Sequence, residues 1–254
     1  MDIANSWKKS GYLHLQGFFD EVEHDKIKTF ATKITEWADT PGKWMKYYEA
    51  TPAGDNKVLC RIENFLPYHQ PLYDLILQAR VWDILQTLMQ EPAVLFKEKI
   101  NFKFPGGKGF AAHQDAPAFK SFAQDYHITA LIPIDDFSIA SGCLEIVEQS
   151  HASLLKTAED GTIDATVADE LTWQPLPCKT GDLLLFDSYL PHRSGENISK
   201  NPRRGIYLTF NKQSAGDRRA DYYALKRQHF PQDCEREAGV NYEGGVFNVA
   251  NPIK

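Results

Sequence analysis

The sequence predicts a mainly β fold, a two-sheet jelly roll with helices packed outside it. Apolar residues recur at helical spacing up to Gln90, whereas from Ala93 onward short β-branched and aromatic runs alternate with turn residues. Helices first and regularly spaced strands afterwards suggest helices laid against a sheet pair. No repeat, low-complexity tract or Pro/Gly/Ser linker divides the 254 residues, so a single domain over 1–254 is expected.

Taken in order, Gly11-Tyr12-Leu13-His14-Leu15 alternates as a short strand. Asp20, with Glu23 three residues on, has capping-box spacing and starts a helix. Ile27, Phe30, Ala31, Ile34 and Trp37 share one face of it. A second helix is predicted from Pro71 to Gln90, completing a helical region of about 20–90. The jelly-roll core, about 93–212, has predicted strands at 94–96, 99–104, 127–132, 143–147, 182–186 and 205–210. Pro105-Gly106-Gly107, Asp135-Asp136, Ser141-Gly142 and Thr180-Gly181 separate them as turns. A tail over 213–254, with a short helix at 218–227, is expected to cover the core.

The bulk numbers narrow the function classes. A net charge of −6 and a pI near 5.8 give no reason to expect nucleic acid or an anionic membrane as partner. Apolar runs such as Leu183-Leu184-Leu185-Phe186 are too short to span a bilayer, and the first residues lack an apolar leader. Cys60, Cys143, Cys178 and Cys234 are far apart in sequence and read as buried free thiols. A cytoplasmic protein acting on a small molecule is the expectation.

His113-Gln114-Asp115, followed by His192 and Arg203, carries the chemistry. His113 and Asp115 are two residues apart and so point the same way on a strand or tight turn. Two imidazoles and a carboxylate can occupy one face of an iron(II) ion and leave three positions open. The planar fork of an arginine matches the far carboxylate of a dicarboxylic cosubstrate. The set reads as a non-haem iron(II) oxygenase using 2-oxoglutarate and O₂, with no catalytic side chains beyond the ligands.

The chain resembles the phytanoyl-CoA hydroxylase family of Fe(II)/2-oxoglutarate dioxygenases over nearly its whole length. The matching runs are Gly11-Tyr12-Leu13, Gly17-Phe18-Phe19, Lys103 to Gly107, His113-Gln114-Asp115, Ser141 to Leu144, Gly181 to Phe186 and Pro191 to Asn197, ending at Arg203. The resemblance implies a cupin-like double-stranded β-helix, with His113, Asp115 and His192 as iron ligands. It implies Arg203 and Ser194 at the far carboxylate of 2-oxoglutarate, with Lys99 and Leu131 at further cosubstrate contacts. Thr129 shares the face of Leu131 and offers a hydroxyl, whereas Arg204 falls on the opposite face from Arg203. Chlorinating relatives lack a carboxylate at the position of Asp115, so its presence favours hydroxylation.

Substrate signals are polar. Alternation from Lys99 turns Asn101 and Lys103 inward as well. Lys108 in the Gly-rich loop, Arg193, Arg61 and Gln114 complete the candidates, and several cations beside iron suggest a small anionic substrate. Solvated rim charges are the alternative for Lys103, Lys108 and Arg193. Glu63, Asp125, Glu145 and Asp221 are available to a substrate ammonium, although ordinary surface or loop roles are favoured for each. His127 is read as a structural imidazole, and Tyr207 as lining the cosubstrate pocket or packing in it. The runs 113–119, 218–223 and 245–253 resemble a bacterial branch associated with organophosphonate oxidation. That branch hydroxylates the carbon next to phosphorus in compounds such as 2-aminoethylphosphonate. Competing readings are a hydroxylase of a lipid, acyl-CoA or amino-acid-type substrate, a catalytically silent metal-binding jelly roll, and a zinc hydrolase. The last would leave Arg203 and Ser194 without purpose.

Overall fold

The computed structural model describes residues 2–51, 54 and 56–242. The strands are β1 (Tyr12–Leu15), β2 (Met45–Ala50), β3 (Lys57–Glu63), β4 (Ala93–Lys103), β5 (Phe110–His113) and β6 (His127–Pro133). They continue with β7 (Leu144–Ile146), β8 (Gln174–Leu176), β9 (Leu183–Asp187), β10 (His192–Ser194) and β11 (Arg203–Lys212). Helices are α1 (Ile3–Ser10), α2 (Glu21–Thr35), α3 (Gln70–Ile76), α4 (Ala79–Met89), α5 (Ala165–Glu170) and α6 (Arg219–His229).

Seven strands form one sheet in the order β1-β9-β6-β11-β4-β3-β2, and four form a second in the order β5-β10-β7-β8. All named pairs are antiparallel. Leu131, Leu144, Ile146, Leu184 and Phe186 pack together from the two sheets, joined by Phe137 from a loop. Helix residues such as Trp7, Ile27, Ile34, Leu72 and Leu85 form a separate core with Ile100, Ile128 and Ile206 of the larger sheet. This is the predicted jelly roll with outer helices. Among the described residues no helix is long and apolar enough to cross a membrane.

The capping box of α2 is present, and Ile27, Ala31 and Ile34 of its predicted face are buried. Other expectations need correction. The helix predicted over 71–90 is two helices, because Gln78 turns extended and its amide donates to Leu75 O (3.0 Å) and Glu23 Oε1 (3.1 Å). The segment read as helices also contains β2 and β3, which extend the larger sheet beside β4. Their buried Lys46, Arg61 and Glu63 hide the apolar alternation that marks a strand. For the same reason 94–96 and 99–104 are one strand, β4: Lys97 faces between the sheets, and Glu98 is buried against α6. Helices α1 and α5 and the short strands β5, β8 and β10 lie outside the elements that the sequence predicts. Cys60, Cys143 and Cys178 are buried and free as expected, but Cys234 is exposed. The run 245–253 lies outside the described residues.

Register arranges the interior of the larger sheet in rows. One row pairs Lys97 with Thr209, Thr129 and Phe186. The next joins Glu63, Lys99, Tyr207, Leu131 and Leu184. A third holds Arg61, Asn101 and Gly205, and a fourth pairs Lys103 with Arg203. Successive rows are two residues apart along the strand, or roughly 7 Å. Gly205 is required here, since a Cβ would stand 2.6 Å from the Phe137 ring.

Helix α6 is fastened to the barrel by two ion pairs. Lys226 Nζ lies 2.6 Å from Glu63 Oε1, both side chains 2% exposed, and Arg219 pairs with the fully buried Glu98. The cations around Glu63, Lys226 foremost, outweigh burial and hold its carboxyl down at about 2. Lys226→Met leaves that carboxylate short of its closest partner and is expected to cost about 3 kcal/mol. Denaturant unfolding checks this: Glu63→Gln added to Lys226→Met should recover much of the loss. A Lys226→Met protein as stable as the parent would contradict it.

Candidate metal centre

His113 ends β5 and His192 begins β10, and the two are register partners across the smaller sheet. That pairing needs Gly109, where a Cβ would stand 2.0 Å from Ser194 O. Asp115 follows at the start of a 3-10 turn over Ala116–Phe122. The rings of His113 and His192 are 4.1 Å apart, and Asp115 Oδ1 lies 3.6 and 4.0 Å from their Nε2 atoms. The ligand atoms of the three residues all fall within 4.8 Å of one another.

Hydrogen bonding fixes the imidazoles for metal binding. His113 Nδ1 donates to Ala111 O (2.8 Å) and His192 Nδ1 to Leu190 O (3.0 Å). Each ring is thereby held with Nε2 turned toward Asp115. Burial, followed by His113, pushes His192 down to about 4, so it is neutral at pH 7. Despite burial, the neighbouring imidazoles and Lys97 hold Asp115 well below the usual carboxylate range, so it stays ionised. Thr129 Oγ1 contacts its other oxygen at 3.4 Å. Two imidazoles and one carboxylate converging at this spacing fit a divalent iron held on one face.

The triad opens into a cavity also lined by Lys97, Lys99, Asn101, Thr129, Ser194 and Tyr207. Of the residues singled out in the sequence, Lys99, Asn101, Thr129 and Ser194 thus meet the triad. Tyr207 does line the cavity, with its ring 5.3 Å from Lys99 Nζ. Arg203 stands deeper, in an adjoining space with Arg61, Lys103 and Lys108; Asn101 and Phe110 border both. Its guanidinium lies 4.1 Å from the Phe137 ring centroid and donates to Gly142 O, while Nε is a buried donor without an acceptor among the described residues. Ser194 Oγ accepts from Lys103 Nζ (2.9 Å) and Phe110 N (3.3 Å), which leaves its own proton to donate. Burial and the nearby Arg203 push Lys103 down to about 6. Arg204 faces away and pairs with Asp135, as alternation required.

Several candidates fall elsewhere. Gln114 is buried with its amide occupied by loop backbone: Nε2 donates to Ser153 O and Tyr189 O, and Oε1 accepts from Leu155 N. It braces the ligand loop and does not face the cavity. Lys108 is exposed at the rim of the adjoining space. Arg61 reaches that space too, donating to Asn101 Oδ1 (3.1 Å) beside Glu63. Leu131 is fully buried in the apolar cluster with Tyr207. His127 is structural, bonded to Gln124 Oε1 (2.8 Å) and packed on Phe119. Glu63, Glu145 and Asp221 are paired with Lys226, Arg193 and Arg218, and Asp125 is exposed.

Lys97 was missed, although stepping alternation back two residues from Lys99 identifies it. Burial pushes the ammonium groups of both lysines down, that of Lys99 furthest.

The family model described as phytanoyl-CoA dioxygenase (PhyH) matches residues 7–205. The chain is 44% identical to a 2-aminoethylphosphonate dioxygenase of an uncultured bacterium (HF130_AEPn_1), over 98% of this chain and 96% of that protein. It is 41% identical to a methylphosphonate hydroxylase of Gimesia maris, over 89% and 86%. Among solved structures, EctD from S. alaskensis with 2-oxoglutarate and 5-hydroxyectoine superposes with a TM-score of 0.72. The identity is 20%, over 84% of this chain and 76% of that one, a likeness of fold. With a jelly roll that brings two histidines and an aspartate to one point, and a family match over most of its length, the chain belongs to the phytanoyl-CoA dioxygenase (PhyH) family of iron(II)- and 2-oxoglutarate-dependent dioxygenases.

Proposed function

We propose that the protein hydroxylates a small organophosphonate at the carbon next to phosphorus, with 2-aminoethylphosphonate the leading candidate. The observation that carries this is a compact cavity beside the triad into which two lysines project. Similarity to two phosphonate-oxidising enzymes over most of the chain narrows the anion to a phosphonate. A silent module, by contrast, has no use for a complete ligand set.

In this reading His113, Asp115 and His192 hold iron(II) through two Nε2 atoms and a carboxylate. Iron(II) with 2-oxoglutarate and O₂ supplies the oxidising power for an unactivated C–H bond, with succinate and CO₂ as coproducts. The protein supplies position and exclusion of water. The far carboxylate of 2-oxoglutarate is assigned to the deep end, where Ser194 has a proton to donate and Arg203 an unused N–H. Lys99, Thr129 and Tyr207 flank its path, and Leu131 supports them from the packed layer. Asn101 lies where cosubstrate and substrate space meet.

The test is succinate release by iron-loaded protein across 2-aminoethylphosphonate, methylphosphonate, amino acids, betaines and acyl-CoAs. Succinate equimolar with hydroxylated phosphonate is expected. Coupling to another class alone would discard the substrate while keeping the reaction; no turnover with any substrate and no 2-oxoglutarate binding would favour the silent module.

A further inference from the structure

The cations around the triad are not equivalent. Arg193 is held by Glu145 (2.7 Å) and lies over the Trp173 ring at 4.4 Å. Lys103, three rows deeper than Lys97, donates to Ser194 Oγ and Gly195 O. Among the described residues, Lys97 and Lys99 are the cavity cations that form no ion pair with a carboxylate. They stand in different rows. Lys99 shares its row with Tyr207, on the way to Ser194 and Arg203. Lys97 shares its row with Thr209 and Thr129, and Thr129 touches the carboxylate of Asp115.

Chemistry separates the two. When the carbon attacked is bonded directly to phosphorus, the anionic group sits one bond from the reacting atom. Its counter-cation must then belong to the row level with the metal ligands, not to the deep end. We propose that Lys97 receives the anionic group of the substrate and so selects substrates whose reacting carbon adjoins an oxyanion. The assignment rests on the function proposed above.

Its surroundings suit that role. The Lys97 ammonium lies 4.8 Å from the Phe119 ring centroid and 5.2 Å from that of Tyr222. Two aromatic faces restrain a flexible side chain without neutralising it. Tyr222 is on α6, which the Glu63–Lys226 and Glu98–Arg219 pairs fasten in place. Thr209 Oγ1, 3.4 Å from Thr129 Oγ1, adds a hydroxyl in the same row. A phosphonate has three oxygen acceptors, so an ammonium and a hydroxyl side by side match it well.

The experiment measures binding of methylphosphonate, methanesulfonate and acetate to anaerobic, iron- and 2-oxoglutarate-loaded protein by calorimetry. Lys97→Met is expected to weaken methylphosphonate at least about 30-fold. Lys97→Arg should restore most of that affinity and shows that the position tolerates change. Affinity for 2-oxoglutarate, measured separately, should move less than about threefold. Phosphonate affinity unchanged in Lys97→Met, or an equal loss for 2-oxoglutarate, would overturn the assignment. So would a parent protein that binds none of the three anions. If the parent binds only sulfonate or carboxylate and Lys97→Met abolishes that, Lys97 keeps its role and the phosphonate reading alone fails.

Discussion

His192→Ala is expected to leave the fold intact and remove the iron. The backbone of residue 192 keeps its pairing with Ile146 and His113, since a strand does not need the imidazole. The metal, however, would be left with one imidazole and one carboxylate. Affinity should fall by more than the roughly 10- to 100-fold typical of losing a ligand's hydrogen-bond partner. Hydroxylation should fall below detection. Iron content after desalting, together with succinate release, measures both. Stoichiometric iron retained at full turnover would remove His192 from the ligand set. His113→Ala should behave alike, because His113 is held by the same kind of Nδ1–carbonyl bond.

The second large effect belongs to Arg203. Arg203→Ala is expected to raise the KM for 2-oxoglutarate at least about 30-fold while iron content stays unchanged. The argument is electrostatic: Arg203 is 1% exposed, retains its charge, and has a buried Nε donor that finds no acceptor among the described residues. Arg203→Lys should restore little, because one ammonium cannot reproduce the planar fork lying on Phe137. A KM that stays put in Arg203→Ala would move the far carboxylate one row from the metal, to Lys99 and Tyr207. Steady-state kinetics in 2-oxoglutarate at saturating phosphonate distinguishes these results.

The helices were legible where one face is apolar and the caps are chemical. Asp20 and Glu23 specify the start of α2 through two hydrogen bonds that depend only on spacing. Strands β6, β9 and β11 were legible because they are continuous runs of β-branched, leucine and aromatic residues. Strands β2, β3 and the middle of β4 were not. Lys46, Arg61, Glu63, Lys97 and Glu98 point into the protein there, and an inward charge looks like a loop when its partner lies far along the chain. Glu63 finds Lys226, and Glu98 finds Arg219.

The sequence by itself determined the reaction class. A histidine and an aspartate two residues apart, a distant second histidine and an arginine on a strand carry chemistry in their types and spacing. Local spacing also placed Arg203 and Arg204 on opposite faces, because alternation is a property of the strand alone. Tertiary structure decided which polar groups face the reacting centre. Gln114, between His113 and Asp115 in sequence, is consumed by the loops of Ser153, Leu155 and Tyr189. Lys97, inconspicuous in sequence, reaches the cavity because register sets its row beside Thr209 and Thr129. Where a side chain points follows from its own strand, but what it meets depends on strands and helices brought from elsewhere in the chain.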